Sequence, residues 1–269
     1  MQDTAIKELE TCVASMAIGL SLGLIGAGGS ILTIPIFVYV LKKDPISSSV
    51  YSMFVVGVSS MAGSVQSMIN KLVDFRAAIA FGIPSVIGVF IARKMIFPWI
   101  PAELFSIGSF MVSKNMLFML CLSSLMFLAA WRMLKPVISN DNAEEKNKPE
   151  ILLIVFRGFA VGLITGLLGI GGGFLIVPAL YFLVNLPVKK AIGTALIIIT
   201  ANSLFGFLNS CTTMEVDWPL LAKFSLGATA GILIGTKLSQ KIPANYLKKI
   251  FGLCVLGMAF YIVYNQLFI

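Results

Sequence analysis

About eight apolar runs, each long enough to cross a lipid bilayer, occupy most of this chain: 9–41, 47–69, 77–100, 116–134, 151–184, 191–211, 218–239 and 247–268. A crossing helix needs about 20 predominantly apolar residues. These runs are apolar on every face, which suits helices that satisfy their own backbone and not the alternating strands of a membrane barrel. Apolar residues make up 58% of 269 positions and charged ones 12%, so lipid is the solvent for most of the chain. The expected fold is therefore an all-α polytopic membrane protein. The short start before the first run carries both charge signs and no basic leader, and is expected to be retained.

The chain also matches itself. Gly23 pairs with Gly166 and Asp74 with Asp217 at one offset of 143 positions. Over 19–95 roughly a quarter of positions are identical at that offset, the self-similarity of a duplicated transporter unit. GLIGAGGSILTIP at 23–35 faces GLLGIGGGFLIVP at 166–178, and Ser60, Gly63, Ser67, Val73 and Asp74 face Ser203, Gly206, Ser210, Val216 and Asp217. The reading is two tandem four-helix repeats, 1–134 and 151–269, joined by a polar linker at 135–150 that contains VISNDNAEEKNKPE. An extra stretch near 102–114 in the first half is read as an interfacial loop or short helix.

The first run of each repeat is longer than a straight crossing, about 45 Å if fully helical against a hydrocarbon core of about 30 Å, so it must tilt or break. Gly26, Gly28 and Gly29 with Pro35 interrupt the first, and Gly169, Gly171, Gly172 and Gly173 with Pro178 interrupt the second. Glycine costs a helix about 1 kcal/mol and proline about 3 relative to alanine, so the first helix of each repeat is expected to break there. A half-helix N-terminus at such a break presents backbone N–H groups and partial positive charge, which hold an anion without a buried lysine. Gly28, Gly29, Ser30, Gly171, Gly172 and Gly173 are the candidate amide donors. The alternative is close helix packing, because small residues let backbones approach in membranes.

Around these breaks Ser52, Ser59, Ser60, Gln66, Thr194, Asn202, Ser203 and Asn209 offer neutral hydrogen bonds that could orient an oxyanion. Acidic residues are few. Asp74 and Asp217 precede the third and seventh helices, where capping competes with proton coupling as their role, and Glu215 is a further coupling candidate. Arg157 and Lys223 lie just inside apolar runs and either snorkel or point inward. There is no histidine, no GxxxxGK[ST] loop, no paired intramembrane acid and no metal-ligand cluster, so neither enzyme chemistry, nor a metal or cofactor, nor ATP-driven pumping within this chain is indicated. Cys12, Cys121, Cys211 and Cys254 are scattered without CxxC spacing and are read as buried apolar residues.

The net charge of +8 comes from Lys and Arg set singly or in pairs between apolar runs, the pattern that fixes membrane topology and not one that binds nucleic acid. With four crossings per repeat, Lys42, Lys43, Arg93, Lys94 and Lys114 fall on the same side as Lys189, Lys190, Lys237, Lys241, Lys248 and Lys249. That side is then cytoplasmic and both termini face outward. An inverted arrangement would require the first run of each repeat to be a hairpin, and would put the two basic sets on opposite sides.

Taken together these residues resemble the TauE/SafE family of sulfite and organosulfonate exporters. The resemblance covers nearly the whole chain: GxxGxGGGxxxxP at 166–178, its counterpart at 23–35, AIGTAL at 191–196, and the Val-Asp pairs at 73–74 and 216–217. It implies a four-plus-four helix plan and a secondary carrier that exports small sulfur-containing anions across the cell membrane, with the lipid bilayer as its surroundings. A passive anion channel, or a carrier for another small organic anion, shares every feature read here. A homodimer is compatible with the pattern and not fixed by it. Two positions depart from the family: SVYSMF stands at 49–54 where a GTSL-like turn is usual, and Ala195 stands in place of serine, so Ser52 and Ala195 differ between the halves.

Overall fold

The computed structural model describes residues 2–25, 28–101, 103–107, 110–134, 150–169, 173–239 and 244–268. The first apolar run is two helices, α1 (Gln2–Ile25) and α2 (Gly28–Pro35), the latter running on through a π-helical turn, Ile36–Val40. Then come α3 (Pro45–Ile69) and α4 (Phe75–Ile91), which continues through a π-helical turn, Ala92–Ile96, into the single turn α5 (Phe97–Trp99). A β-hairpin follows, β1 (Glu103–Ile107) antiparallel to β2 (Phe110–Ser113), and after it α6 (Lys114–Leu134). The second half holds α7 (Ile151–Leu168), α8 (Gly173–Leu183), α9 (Val188–Ser210), α10 (Trp218–Ser239) and α11 (Ala244–Phe268). Among the described residues five helical stretches are long and apolar enough to cross a membrane: Pro45–Ile69, Phe75–Trp99, Ile151–Leu168, Lys189–Ser210 and Trp218–Ser239.

The segment near 102–114 is thus neither loop nor short helix. Phe105, Ile107, Phe110 and Val112 are the β-branched and aromatic types that favour a pleated strand, and the two residues between the strands suit a hairpin. The helices begin on acids as capping predicts. Asp44 accepts N–H bonds from Ile46 and Ser47 with Pro45 at the first helical position of α3, Asp74 accepts from Ala77 at the start of α4, and Asp217 accepts from Leu220 at the start of α10.

Small residues set every second apolar turn decide which helices touch. On α7, Gly158, Gly162 and Gly166 lie four residues apart and meet the α4 backbone at Phe81, Ser85 and Val89 in that order. On the other side of the molecule Ser15, Gly19 and Gly23 of α1 meet Gly227, Ala228 and Gly235 of α10, again in ascending order. An added Cβ at Gly162 or Gly19 would run into a backbone carbonyl, so these stripes are flat surfaces on which two parallel helices pack at the closest approach that backbones allow. The central pair behaves oppositely: Met53 of α3 lies against Gly206 of α9, Gly57 against Leu204, and Leu72 against Gly193, a descending order that makes α3 and α9 antiparallel.

Directions follow from these registers. Tyr51 near Asp217 and Gln66 bonded to Thr236 make α3 parallel to α10; Asp74 bonded to Thr194 and Ser85 to Asn202 make α4 parallel to α9. Helices α1, α3 and α10 therefore point one way and α4, α7 and α9 the other. Because α1 and α3 share a direction, α2 and its π-helical turn must lead the chain back, and Phe37 at its lower part packs on Tyr51 and Phe224. The long first run is a hairpin and not one crossing.

This corrects the expected distribution of charge. Lys43 is ion-paired with Asp217 at 3.3 Å, and Asn115 beside Lys114 bonds to Asp44, so Lys42, Lys43, Lys94 and Lys114 share one end with Asp44, Glu215 and Asp217. Lys71, Arg76, Lys189, Lys190 and Lys237 gather at the other end, where Asp74 meets Thr194. The two basic sets are on opposite sides because the hairpins add a reversal in each half. Large apolar side chains such as Leu152, Leu226 and Phe156 cover the outer surface, and Trp99, Trp131 and Trp218 stand exposed near helix ends as in an interfacial aromatic belt. Cys12 and Cys121 also face outward, against expectation, on surfaces that are otherwise apolar.

Candidate functional site

The two glycine turns lie at opposite ends of the bundle. Gly28, Gly29 and Ser30 form the first turn of α2, close to where Gly23 meets Gly235 near the end of α10. In the second half α7 ends on Gly169, at φ +59°, and Gly173 opens α8 as a buried residue; Gly171 and Gly172 lie outside the described residues. Gly169 abuts Ser49 near the start of α3, whereas the first turn lies level with Gln66 near its end, a separation of about 25 Å along the helix at 1.5 Å per residue. Of the candidates in the two turns, Gly28 and Gly29 therefore stand far from Gly173.

Between them, α3 and α9 cross and carry most of the remaining candidates. Ser52, Ser59, Ser60, Thr194, Asn202 and Ser203 are all buried. Asn202 donates from Nδ2 to Ser85 Oγ at 2.7 Å, Ser59 donates to the Val55 carbonyl, and Thr194 accepts from the Asp74 amide at 2.9 Å. The hydroxyls of Ser52 and Ser60 and the Asn202 Oδ1 have no hydrogen-bond partner. Buried polar groups are nearly always satisfied, by protein or by water, so these three atoms are free to bond water or a ligand. Among the described residues the buried polar side chains are hydroxyls, one amide and one guanidinium, with no carboxylate.

The guanidinium belongs to Arg93, which sequence reasoning treated only as a flanking basic residue. It is 5% exposed, donates from Nη2 to Ser49 Oγ at 3.0 Å, lies 5.1 Å from the Phe97 ring centre, and leaves Nε without an acceptor. An added Cβ on Gly169 would collide with this guanidinium and with Ser49, so the glycine that closes α7 is needed both for its left-handed backbone and for the space it leaves. Arg93 also lines a cavity of about 520 Å³ with Ser47, Lys94, Asn209, Thr212 and other residues of α3, α5 and α9. Lys114 sits close by, donating to the Phe97 and Ile100 carbonyls.

A family model described as sulfite exporter TauE/SafE matches residues 11–262. The chain belongs to the TauE/SafE family. A probable membrane transporter protein of Xylella fastidiosa is 30% identical over 93% of this chain and 92% of its own length. Another, YunE of Bacillus subtilis, is 25% identical over 91% and 93%, and YdhB of the same organism 26% over 86% and 90%. No solved structure matches. The protein is thus a membrane transporter and not an enzyme.

Within this TauE/SafE transporter the two acids considered for coupling serve the backbone. Asp74 and Asp217 each hold a helix start, at opposite ends, and Asp217 also meets Lys43. Arg157 donates to the Leu183 carbonyl at 3.0 Å and so closes the end of α8. The position where the family motif most differs between halves, Ser52 against Ala195, is buried in both. Arg93 lies outside every motif; the signal that could have found it is that its counterpart at the 143 offset is Thr236, so one half carries a charge that the other lacks.

Proposed function

We propose that this protein is a secondary carrier that exports small sulfur-containing anions, sulfite or organosulfonates, across the cell membrane. The observation that carries this reading is the character of the buried polar set: hydroxyls, an amide and a guanidinium with no carboxylate among the described residues, several of them unmatched. Such an interior accepts negative charge and repels cations. The family description names sulfite as the exported species.

The chain acts as two copies of one unit, 1–134 and 151–269, facing opposite ways with the 135–150 linker between them. Support comes from the contacts themselves, since α1 on α10 is the counterpart of α7 on α4 at the 143 offset, and the α3 and α9 counterparts cross antiparallel. Each unit contributes a glycine-turned hairpin from its own side, and the crossing of α3 and α9 is the midplane station, with Ser60, Asn202 and Ser203 at its centre and Ser52 and Thr194 facing the path toward opposite ends. The end holding Lys71, Arg76, Lys189, Lys190 and Lys237 also takes Arg132, Arg157 and Lys249 from the adjoining ends of α6, α7 and α11, against Lys42, Lys43, Arg93, Lys94, Lys114 and Lys223 at the other, and this excess makes it the cytoplasmic end under the positive-inside rule. Expulsion of an anion from a negative interior is favoured by about 2.3 kcal/mol per charge per 100 mV, so no coupling ion is required.

The test is release of sulfite and methanesulfonate from proteoliposomes at a set potential, with chloride and sulfate as comparisons. The expected result is saturable sulfite release that speeds up as the interior is made more negative, and falls at least tenfold in Ser60→Val. Non-saturating flux would replace the carrier with a channel; no flux of any anion from folded, inserted protein would sink the assignment.

A further inference from the structure

We propose that Arg93, with Asn209 and Ser47 in the same cavity, is a binding station for the transported oxyanion at the outer end of the path, and that the position equivalent to it at the inner end carries no buried charge. The proposal rests on the reading of this chain as an anion transporter. A buried cation needs a counter-charge or a dense set of acceptors. No ion pair is seen at Arg93, and no carboxylate lines the cavity around it.

What surrounds the guanidinium orients it without neutralising it. Ser49 takes one N–H, and its own hydroxyl is committed to the Ile46 carbonyl; Phe97 covers a face; Gly169 leaves the room it occupies. The Nε–H remains to be used. A planar fork with an unused donor suits two oxygens of one S–O group far better than a spherical halide. Ser47, Asn209 and Thr212 add hydroxyl and amide groups on the cavity wall, and Lys94 adds positive charge.

The opposite end shows what the same fold does without the charge. At the 143 offset Arg93 corresponds to Thr236 and Asn209 to Gln66. Those two are bonded to each other, the Thr236 hydroxyl to Gln66 Oε1. The inner counterpart is therefore neutral and self-satisfied while the outer one is charged and open to a ligand. An anion arriving from outside meets a buried guanidinium, one arriving from the cytoplasm meets only the exposed cations of that end, and Arg93 sets how strongly external anion occupies the carrier.

The experiment compares wild type, Arg93→Gln and Arg93→Lys in two ways. Sulfite and methanesulfonate binding is read as thermal stabilisation in nanodiscs against chloride at equal ionic strength, and transport is read in right-side-out and inside-out vesicles. Arg93→Gln should abolish the sulfite-dependent stabilisation and raise the external half-saturation at least tenfold, with the cytoplasmic value changed less than threefold. Arg93→Lys should fall between, because it keeps the charge and loses the fork. If Arg93→Gln does not fold, Asn209→Asp, which sets a carboxylate in the same cavity, carries the same expectation. A folded Arg93→Gln with wild-type stabilisation and external half-saturation overturns the station even while transport persists. Arg93-dependent sulfite binding by a wild type that moves no anion leaves the station standing and removes the transport reading.

Discussion

At the scale of single residues, glycine is the informative type here, and it does two separate jobs. The stripe glycines bring helices together; Gly169 turns a chain end and makes room for Arg93. Gly169→Ala forces a side chain into left-handed backbone and onto a guanidinium, and should lower stability by about 1–3 kcal/mol with a weaker sulfite effect on the thermal midpoint; an unchanged midpoint would contradict the geometry. Asp217 is the contrary case, a charge whose contacts are a helix cap and an ion pair with Lys43. Its cap and half-exposed ion pair are together worth about 1–2 kcal/mol, so Asp217→Asn should cost about that in stability and leave the pH profile of transport unaltered. Much of this was legible in the sequence, because glycine and capping preferences act through neighbouring backbone. Arg93 was not legible, since its burial depends on Gly169 and Ser49, which are remote in the chain and brought to it only by the hairpin.

At the scale of helices, periodicity and length placed the apolar runs well, and the glycine clusters located both breaks, at Ile25 to Gly28 and at Leu168 to Gly173. What they could not convey was the angle of the break. A helix that kinks and a helix that doubles back need the same glycines, and only the partner helix distinguishes them. The β-hairpin at Glu103–Ile107 and Phe110–Ser113 escaped for a related reason: two short strands pair with each other and leave a weak pattern beside long apolar runs. Packing supplies the prediction at this scale. Gly162 meets the Ser85 backbone directly, whereas Gly257 has nothing near its Cβ position. Gly162→Leu should therefore separate α4 from α7 and lower the thermal midpoint strongly, while Gly257→Leu should be close to neutral. Equal effects in the two variants would remove the close-approach account of the α4 and α7 interface.

For the whole molecule, the decisive feature is that counterpart elements cross antiparallel at the centre and that charge is divided unequally between the ends. Composition and the family motifs made a membrane transporter readable before any coordinates, and the 143-residue offset raised the expectation of a duplicated unit. The relative orientation of the halves was not readable, because it turns on whether each first run crosses once or returns. Sidedness answers this most directly. In a cysteine-free background, Lys42→Cys and Lys190→Cys are both on exposed surfaces and can be probed in intact cells with an impermeant maleimide. Oppositely facing halves predict labelling of position 42 from outside and of position 190 only after permeabilisation. Labelling of both from the same side would contradict the hairpins, the inverted halves and the outer placement of Arg93 together.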